Sequence, residues 1–215
     1  MGWSGDTLLE MSDGKGIRAH NLKAGDRLRS DTGDAVRVEC VVVTNIEQGA
    51  GGEGLCTLNF QENVRPDVNL DDFAASTRPL ARGHHWNPIF VPGRLRKGSM
   101  NWRFIRDVAL CEVGVKKDAF AYDIVLNSVD RRRLVSVFGG IFIPGLGHNI
   151  GDPLIAHPYF GTELVINDLK RDPAYAQSGR VVLLEKNYVR SQDAMRTVQR
   201  IVVSAGEDSE MCTVA

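Results

Sequence analysis

The sequence predicts an all-β fold, and three observations predict it. Apolar and β-branched residues recur in short alternating runs over the first 150 residues. Clusters of Gly, Asp, Asn and Pro punctuate those runs at brief intervals. Helical periodicity is nearly missing from the same stretch, and strands this frequent and short belong to sandwiches and barrels. In order, the runs are Thr7–Met11, Arg27–Arg29, Ala35–Thr44, Leu55–Phe60, Pro88–Val91, Ala109–Val115, Phe120–Asn127 and Leu134–Ile143, the last broken by a Gly turn. The turns are Ser12-Asp13-Gly14, Asp31-Thr32-Gly33-Asp34, Gly49 to Gly52 and Pro92-Gly93. The continuous apolar stretch Val41-Val42-Val43 predicts a strand covered on both faces. Gly49 to Gly54 and the basic stretch Arg94 to Gly98 are expected to be surface loops. Asn63 to Leu80, with Pro66 and Pro79, has room for one short helix near Leu70 to Ala75.

Past Asn149 the texture changes. Asp152-Pro153 and His157-Pro158 interrupt the chain, and Phe160 to Leu169 fits a helix or a strand. Gly179–Leu184 and Thr197–Val203 read as strands, and Ser191–Arg196 as a short helix with a Ser start. The expected organisation is a β core over 2–149, an extension over 150–204 packed on it, and a small polar tail over 205–215.

The chain has 215 residues, 43% of them hydrophobic and 25% charged, so a packed core is expected and global disorder is not. A formal net charge of -1 argues against nucleic acid or an anionic membrane as partner, because phosphate binding needs a basic excess. No apolar stretch approaches the roughly 20 residues of a membrane-spanning helix. The start has neither a basic region nor an apolar segment of signal-peptide type, which favours a cytoplasmic setting. Four cysteines, Cys40, Cys56, Cys111 and Cys212, form no Cys-x-x-Cys pair, so a structural zinc site is not expected. Cys40, inside an apolar run, reads as a small core hydrophobe.

Several short motifs then occur in a fixed order. Gly5-Asp6-Thr7 is followed by Asp13-Gly14 and by Leu22-Lys23-Ala24-Gly25-Asp26-Arg27-Leu28. Later come Ala121-Tyr122-Asp123-Ile124-Val125-Leu126, the Gly139-Gly140 turn and Gly145-Leu146-Gly147-His148-Asn149. This ordered set resembles the Hint superfamily, the self-processing module of inteins and Hedgehog C-terminal domains. His157-Pro158-Tyr159-Phe160-Gly161-Thr162 and Val165 to Leu169 are most similar to the Vint subfamily, whose members are attached to von Willebrand factor A-type domains. The resemblance covers roughly residues 2 to 185. It implies a horseshoe of long curved strands with pseudo-twofold halves and a small mixed C-terminal extension. It also implies cleavage of the peptide bond before position 2 through an N-to-S acyl shift. The chain's own N-terminal flanking polypeptide is then the substrate, and water, a thiol or an amine is the acyl acceptor. Such a module needs no cofactor, turns over once, and is expected to act as a monomer.

The departures from that pattern are specific. The family's nucleophilic Cys falls at position 2, where this chain has Gly2. Glycine offers no nucleophile. Two readings stay open: a substitution that leaves an otherwise competent module uncleaved, or a module that has lost its nucleophile. The intact Trp3-Ser4-Gly5-Asp6 favours the first. The family's Thr-x-x-His block aligns with His84, His85, Trp86 and Asn87, placing His84 at the Thr and Asn87 at the His. An amide is no acid near neutral pH, whereas His84 or His85 can carry a proton. His148 can protonate a tetrahedral intermediate or simply pack with backbone partners, and Asn149 can polarise a carbonyl or form a turn. Ile150 follows where an intein has Cys, Ser or Thr, which excludes splicing. Asp123 can orient a histidine or deprotonate a thiol, or it can pair with Arg131 to Arg133. His20 and His157 read as structural. If Gly2, Asn87 and Ile150 together mark lost chemistry, the chain is a catalytically dead Hint scaffold used as a protein-interaction module. A thiol hydrolase acting in trans is a poor reading, since no cysteine sits in a signature for it.

Overall fold

The computed structural model describes residues 2–45, 55–58, 81–84, 86–90, 102–107, 110–111, 120–137, 141–192 and 197–203. Position 85, the loops expected near 49–54 and 94–98, the segment 63–80 and the tail 205–215 lie outside them, as do residues 193–196 of the expected helix. Among the described residues the fold is mostly β-sheet and largely antiparallel, as an all-β reading requires.

One sheet has the strand order β10-β6-β7-β1-β11-β5-β14. In chain order these strands are β1 (Trp3–Ser4), β5 (Ala35–Asn45), β6 (Leu55–Leu58), β7 (Ala81–His84), β10 (Leu110–Cys111), β11 (Phe120–Leu126) and β14 (Arg180–Leu184). A short strand β4 (Arg27–Arg29) also pairs with β5. The second sheet runs β3-β2-β12-β13-β8-β9. Its strands are β2 (Leu8–Glu10), β3 (Gly16–Arg18), β8 (Pro88–Phe90), β9 (Trp102–Phe104), β12 (Leu134–Val137) and β13 (Ile141–Pro144). A separate hairpin joins β15 (Tyr188–Arg190) to β16 (Val198–Ile201).

Each expected run carries a strand where the described residues cover it, the Ala109–Val115 run being described only at 110–111, and the Leu134–Ile143 run divides into β12 and β13. The short β1, β3, β7 and β9 were not legible as runs, because two to four residues carry no readable alternation. They form because their neighbours offer open ladders: Trp3 pairs with Tyr122 on one side and with Gly83 on the other.

β5 is the centre of the molecule. Val125 of β11 opposes Cys40, and Leu126 opposes Val38, so β5 has one extra residue at Glu39. That bulge shifts the alternation by one. Val36, Val38, Val41 and Val43 point into a first core with Leu9, Leu22, Leu28, Ile124, Val135 and Ile143. Cys40 and Val42 point into a second core with Val125, Leu146, Phe160, Ile166 and Val181. The double burial expected for Val41–Val43 follows from this pair of cores.

The second core is built by the C-terminal residues. Helix α1 (Glu163–Leu169) starts at Thr162, whose hydroxyl accepts from the Leu164 N–H, and buries Val165, Ile166 and Leu169 at helical spacing. Helix α2 (Pro173–Gln177) has Asp172 as its cap and Pro173 in its first turn. β14 then joins β5 in parallel, with Val181 opposite Val42 and Leu184 opposite Asn45. The extension therefore contributes a strand to the main sheet, and residue 149 marks a change of texture inside one shared sheet. At the helix expected from Ser191, residues 191 and 192 are not helical.

Candidate functional site: the buried chain start

Gly2 lies at the entry to β1, where the next residue, Trp3, is flanked by β7 and β11. Its peptide N–H donates to Asn87 Oδ1 at 3.3 Å, and its carbonyl accepts from Asn87 Nδ2 at 2.6 Å. The His84 backbone N–H donates to the same carbonyl at 3.3 Å. Asn87, only 2% exposed, thus grips both polar groups of one peptide residue. The grip depends on a tight turn. The Asn87 N–H donates to the His84 carbonyl at 2.8 Å, and His84 Nδ1 accepts from the Trp86 N–H at 3.4 Å. His84 therefore serves through its backbone and by closing the turn. His85 lies outside the described residues.

Gly83 makes the close approach possible. A Cβ there would lie 2.6 Å from Asn87 Nδ2 and 2.8 Å from the Trp3 ring. Continuing the Trp3–Tyr122 register sets Gly2 opposite Asp123. A Cβ on Gly2 would point at Asp123 Oδ2, 3.3 Å away, but would meet the Ala121 Cβ at 2.6 Å. The Gly2 φ of 132° is also a conformation that L side chains rarely adopt. As folded, the position is shaped to glycine, and a cysteine there needs a backbone shift or more room at Ala121.

Asp123 is not paired with Arg131 to Arg133 as one reading of the sequence allowed. Arg131 is buried and bonds Glu163, with Glu39 at 3.5 Å. Those two carboxylates satisfy it, whereas Asp123 is half-buried on β11. Withdrawal from water pushes the Asp123 carboxyl pKa up.

The 145–149 segment reaches the same edge of β11. Leu146 bridges Val125 in parallel, and its N–H donates to the Ile124 carbonyl at 2.8 Å. Gly145 has no room for a side chain, since a Cβ would stand 2.8 Å from that carbonyl. Gly2 opposite Asp123 and Leu146 opposite Val125 are two strand positions apart, about 7 Å along β11. The chain start and the His148-Asn149 segment therefore adjoin along one strand.

Their side chains do different things. His148 is 4% exposed; its Nδ1 accepts from the Ile150 N–H at 3.0 Å, and the ring donates a further hydrogen bond to the Ile155 backbone. Burial lowers its pKa to about 4, helped by the like charge of His157. It is a neutral, backbone-held imidazole at pH 7. Its ring lies against Gly161, where a Cβ would be 3.3 Å from Cε1 and Nε2. Asn149 is exposed, has a φ of 51°, and donates through Nδ2 to Glu163 Oε1 at 3.2 Å, away from Gly2's partners.

Gly83 and Tyr188 were not singled out from sequence, and His157 was read as structural. His157 has Nδ1 accepting from the Tyr159 and Phe160 N–H groups, and burial followed by the positive charge of the chain's amino terminus lowers its pKa. Tyr188 bonds Thr44 Oγ1 through its hydroxyl at 2.5 Å, and burial raises its pKa, with the Asp123 charge adding to the shift. Thr44 pairs with Ala121, so Tyr188 closes over the sheet face that carries Ala121 and Asp123. The extension is thus a wall of the site. Only that pairing could have shown it, and sequence does not carry it.

Among the described residues no group of three or more His, Cys, Asp or Glu side chains could hold a metal ion, and no helix is long and apolar enough to cross a membrane. No protein-family model matches the chain, and no curated protein matches it.

Proposed function

We propose that this chain is a self-processing domain of Hint type, most similar to Vint domains, held uncleaved by Gly2. In this reading the adjoining chain start and 145–149 segment belong to a horseshoe with pseudo-twofold halves. The observation that carries the reading is the Asn87 grip: the nitrogen of the bond before position 2 is held at a buried amide, and a Cβ at that position would lie 3.3 Å from Asp123 Oδ2. With a cysteine there, its thiolate attacks the carbonyl of residue 1. The C–N bond breaks, the Gly2-position nitrogen takes a proton, and residue 1 becomes a thioester. Asp123, with its raised pKa, takes the thiol proton and returns it to that nitrogen as the C–N bond breaks. Asn87 Oδ1 stabilises the amine that is released but supplies no proton. Water or an added thiol then frees the N-terminal polypeptide.

The test is an N-terminal fusion carrying Gly2→Cys, and the same with Ala121→Gly to relieve the 2.6 Å contact. Thiol-accelerated release of the fusion partner from either supports the reading. No release from either, with the fold retained by circular dichroism, supports the second reading, a dead scaffold that serves as an interaction module. The Gly2 φ of 132° is what favours that alternative, because it suits no nucleophilic side chain.

A further inference from the structure

The hairpin of β4 and β5 sets two positive charges face to face. Arg27 of β4 is the direct antiparallel partner of Arg37 of β5, and both residues are exposed. Direct partners share a sheet face with Cβ atoms about 4.5 to 5.5 Å apart, and like charges placed so repel. Arg29, the next outward residue of β4, is neutralised by Glu10 at 2.8 Å. Among the described residues no carboxylate pairs with the guanidinium of Arg27 or Arg37. The neighbouring carboxylates are engaged elsewhere. Asp26 Oδ2 accepts from the Lys23 N–H at 2.8 Å, and Asp130 Oδ2 from the Arg37 backbone N–H at 3.1 Å. Glu39 accepts from the Tyr175 hydroxyl at 2.8 Å and stands 3.5 Å from Arg131. Beside the pair lies a cleft of about 290 Å³, lined by Ala24, Gly25, Arg37, Val38, Glu39 and Asn127.

We propose that Arg27, Arg37 and this cleft form a binding site for a small phosphate, with the phosphate group held between the facing arginines. Guanidinium forks match phosphate oxygens two at a time, so a dianion between them replaces a repulsion with charge-assisted hydrogen bonds. The cleft lies just under the roughly 300–1,000 Å³ of small-molecule sites, which suits a compact ligand such as a phosphate monoester. Asn127 offers a neutral contact in its wall: Oδ1 already accepts from the Asp130 N–H at 3.0 Å, so Nδ2 is the group left to donate. Glu39 does not spoil the wall for an anion, because Arg131 and, at 3.9 Å, Lys170 offset its charge. The positive spot is local. The whole chain has a net charge of -1, which fits a small anion and not a polyanion.

The place of the site keeps it apart from the chain start. Asn127 follows the end of β11, about 13 Å along the strand direction from Asp123, which stands opposite Gly2. The cleft instead adjoins the bulge of β5 at Glu39, the residue that Arg131 and Tyr175 tie to the C-terminal extension. A ligand that binds only the folded chain stabilises it by mass action, so occupancy is readable as a rise in melting temperature. The inference rests on strand register and the cleft, and holds whether or not the chain cleaves itself.

The test titrates the full chain with inorganic phosphate and with glycerol 3-phosphate, at an ionic strength held constant with chloride, by calorimetry and by thermal melts. The expected result is one site per chain and a melting temperature above the chloride control. Arg37→Gln and Arg27→Glu should each weaken binding roughly tenfold or more. In chloride alone Arg27→Glu should melt no lower than the parent, because the facing charges then attract. Tighter binding of glycerol 3-phosphate assigns the site to an ester with its body in the cleft, and equal binding assigns it to free phosphate. No heat and no melting shift beyond chloride, or binding that survives unchanged in both variants, would overturn the proposal. So would an Arg27→Glu protein that melts below the parent in chloride, since the facing arginines would then not repel.

Discussion

Removing the Asn87 carboxamide strands the Gly2 N–H and leaves the Gly2 carbonyl with a single donor at 3.3 Å. Buried polar groups left unpaired cost roughly 1–3 kcal/mol, so Asn87→Ala should lower unfolding stability by that amount in urea titration. Gly83→Ala should cost a similar ~1–3 kcal/mol, because its Cβ would meet Asn87 and Trp3 inside contact distance. It should also loosen the grip on Gly2, visible as faster amide exchange there. His148 supplies a pH dependence. Its folded-state pKa of about 4 lies below the ordinary 6.5, so the unfolded chain takes up the proton first. The contribution is whole above pH 6.5 and declines as pH falls toward 4, by at most about 3 kcal/mol. Stability measured across that window should fall less steeply in His148→Gln than in the parent. At this scale the sequence singled out the block around residue 87 and Asp123, but not the contacts each makes. The roles of Asn87 and His84 are backbone hydrogen bonds, and no residue pattern encodes which carbonyl a side chain will meet.

Strands longer than about five residues announced themselves, because alternation and β-branching are local properties. β5 and β11 were legible nearly to their ends. Short strands such as β1 and β7 were not, since a neighbouring ladder specifies them. The parallel pairing of β14 with β5 was equally hidden: the run Val181 to Leu184 reads as a strand in any context, and its partner lies more than a hundred residues away. That pairing has a measurable consequence. Ending the chain at residue 149 would uncover Cys40, Val42, Val125 and Leu146 and leave the Val41 to Asn45 part of β5 as a bare edge. The 2–149 fragment should therefore aggregate or fail to unfold cooperatively, as followed by light scattering and thermal melts. A soluble, cooperative 2–149 fragment would show that the extension is dispensable.

In the whole molecule, two cores back one central strand, and the chain start enters between them. β11 holds Gly2 and Leu146 on one edge and β5 on the other, while the extension closes the face that carries Ala121 and Asp123. The candidate site draws on residues 2, 87, 123, 146 and 188, spread over most of the sequence, so strand topology and not any single motif brings them together. The most direct measurement is hydroxylamine trapping on an N-terminal fusion carrying Gly2→Cys and Ala121→Gly, read by mass spectrometry. The account predicts a released partner ending in a hydroxamate at residue 1, with the yield reduced at least tenfold by adding Asp123→Asn. A folded fusion that stays intact in hydroxylamine, with an ordinary thiol at position 2, would contradict it.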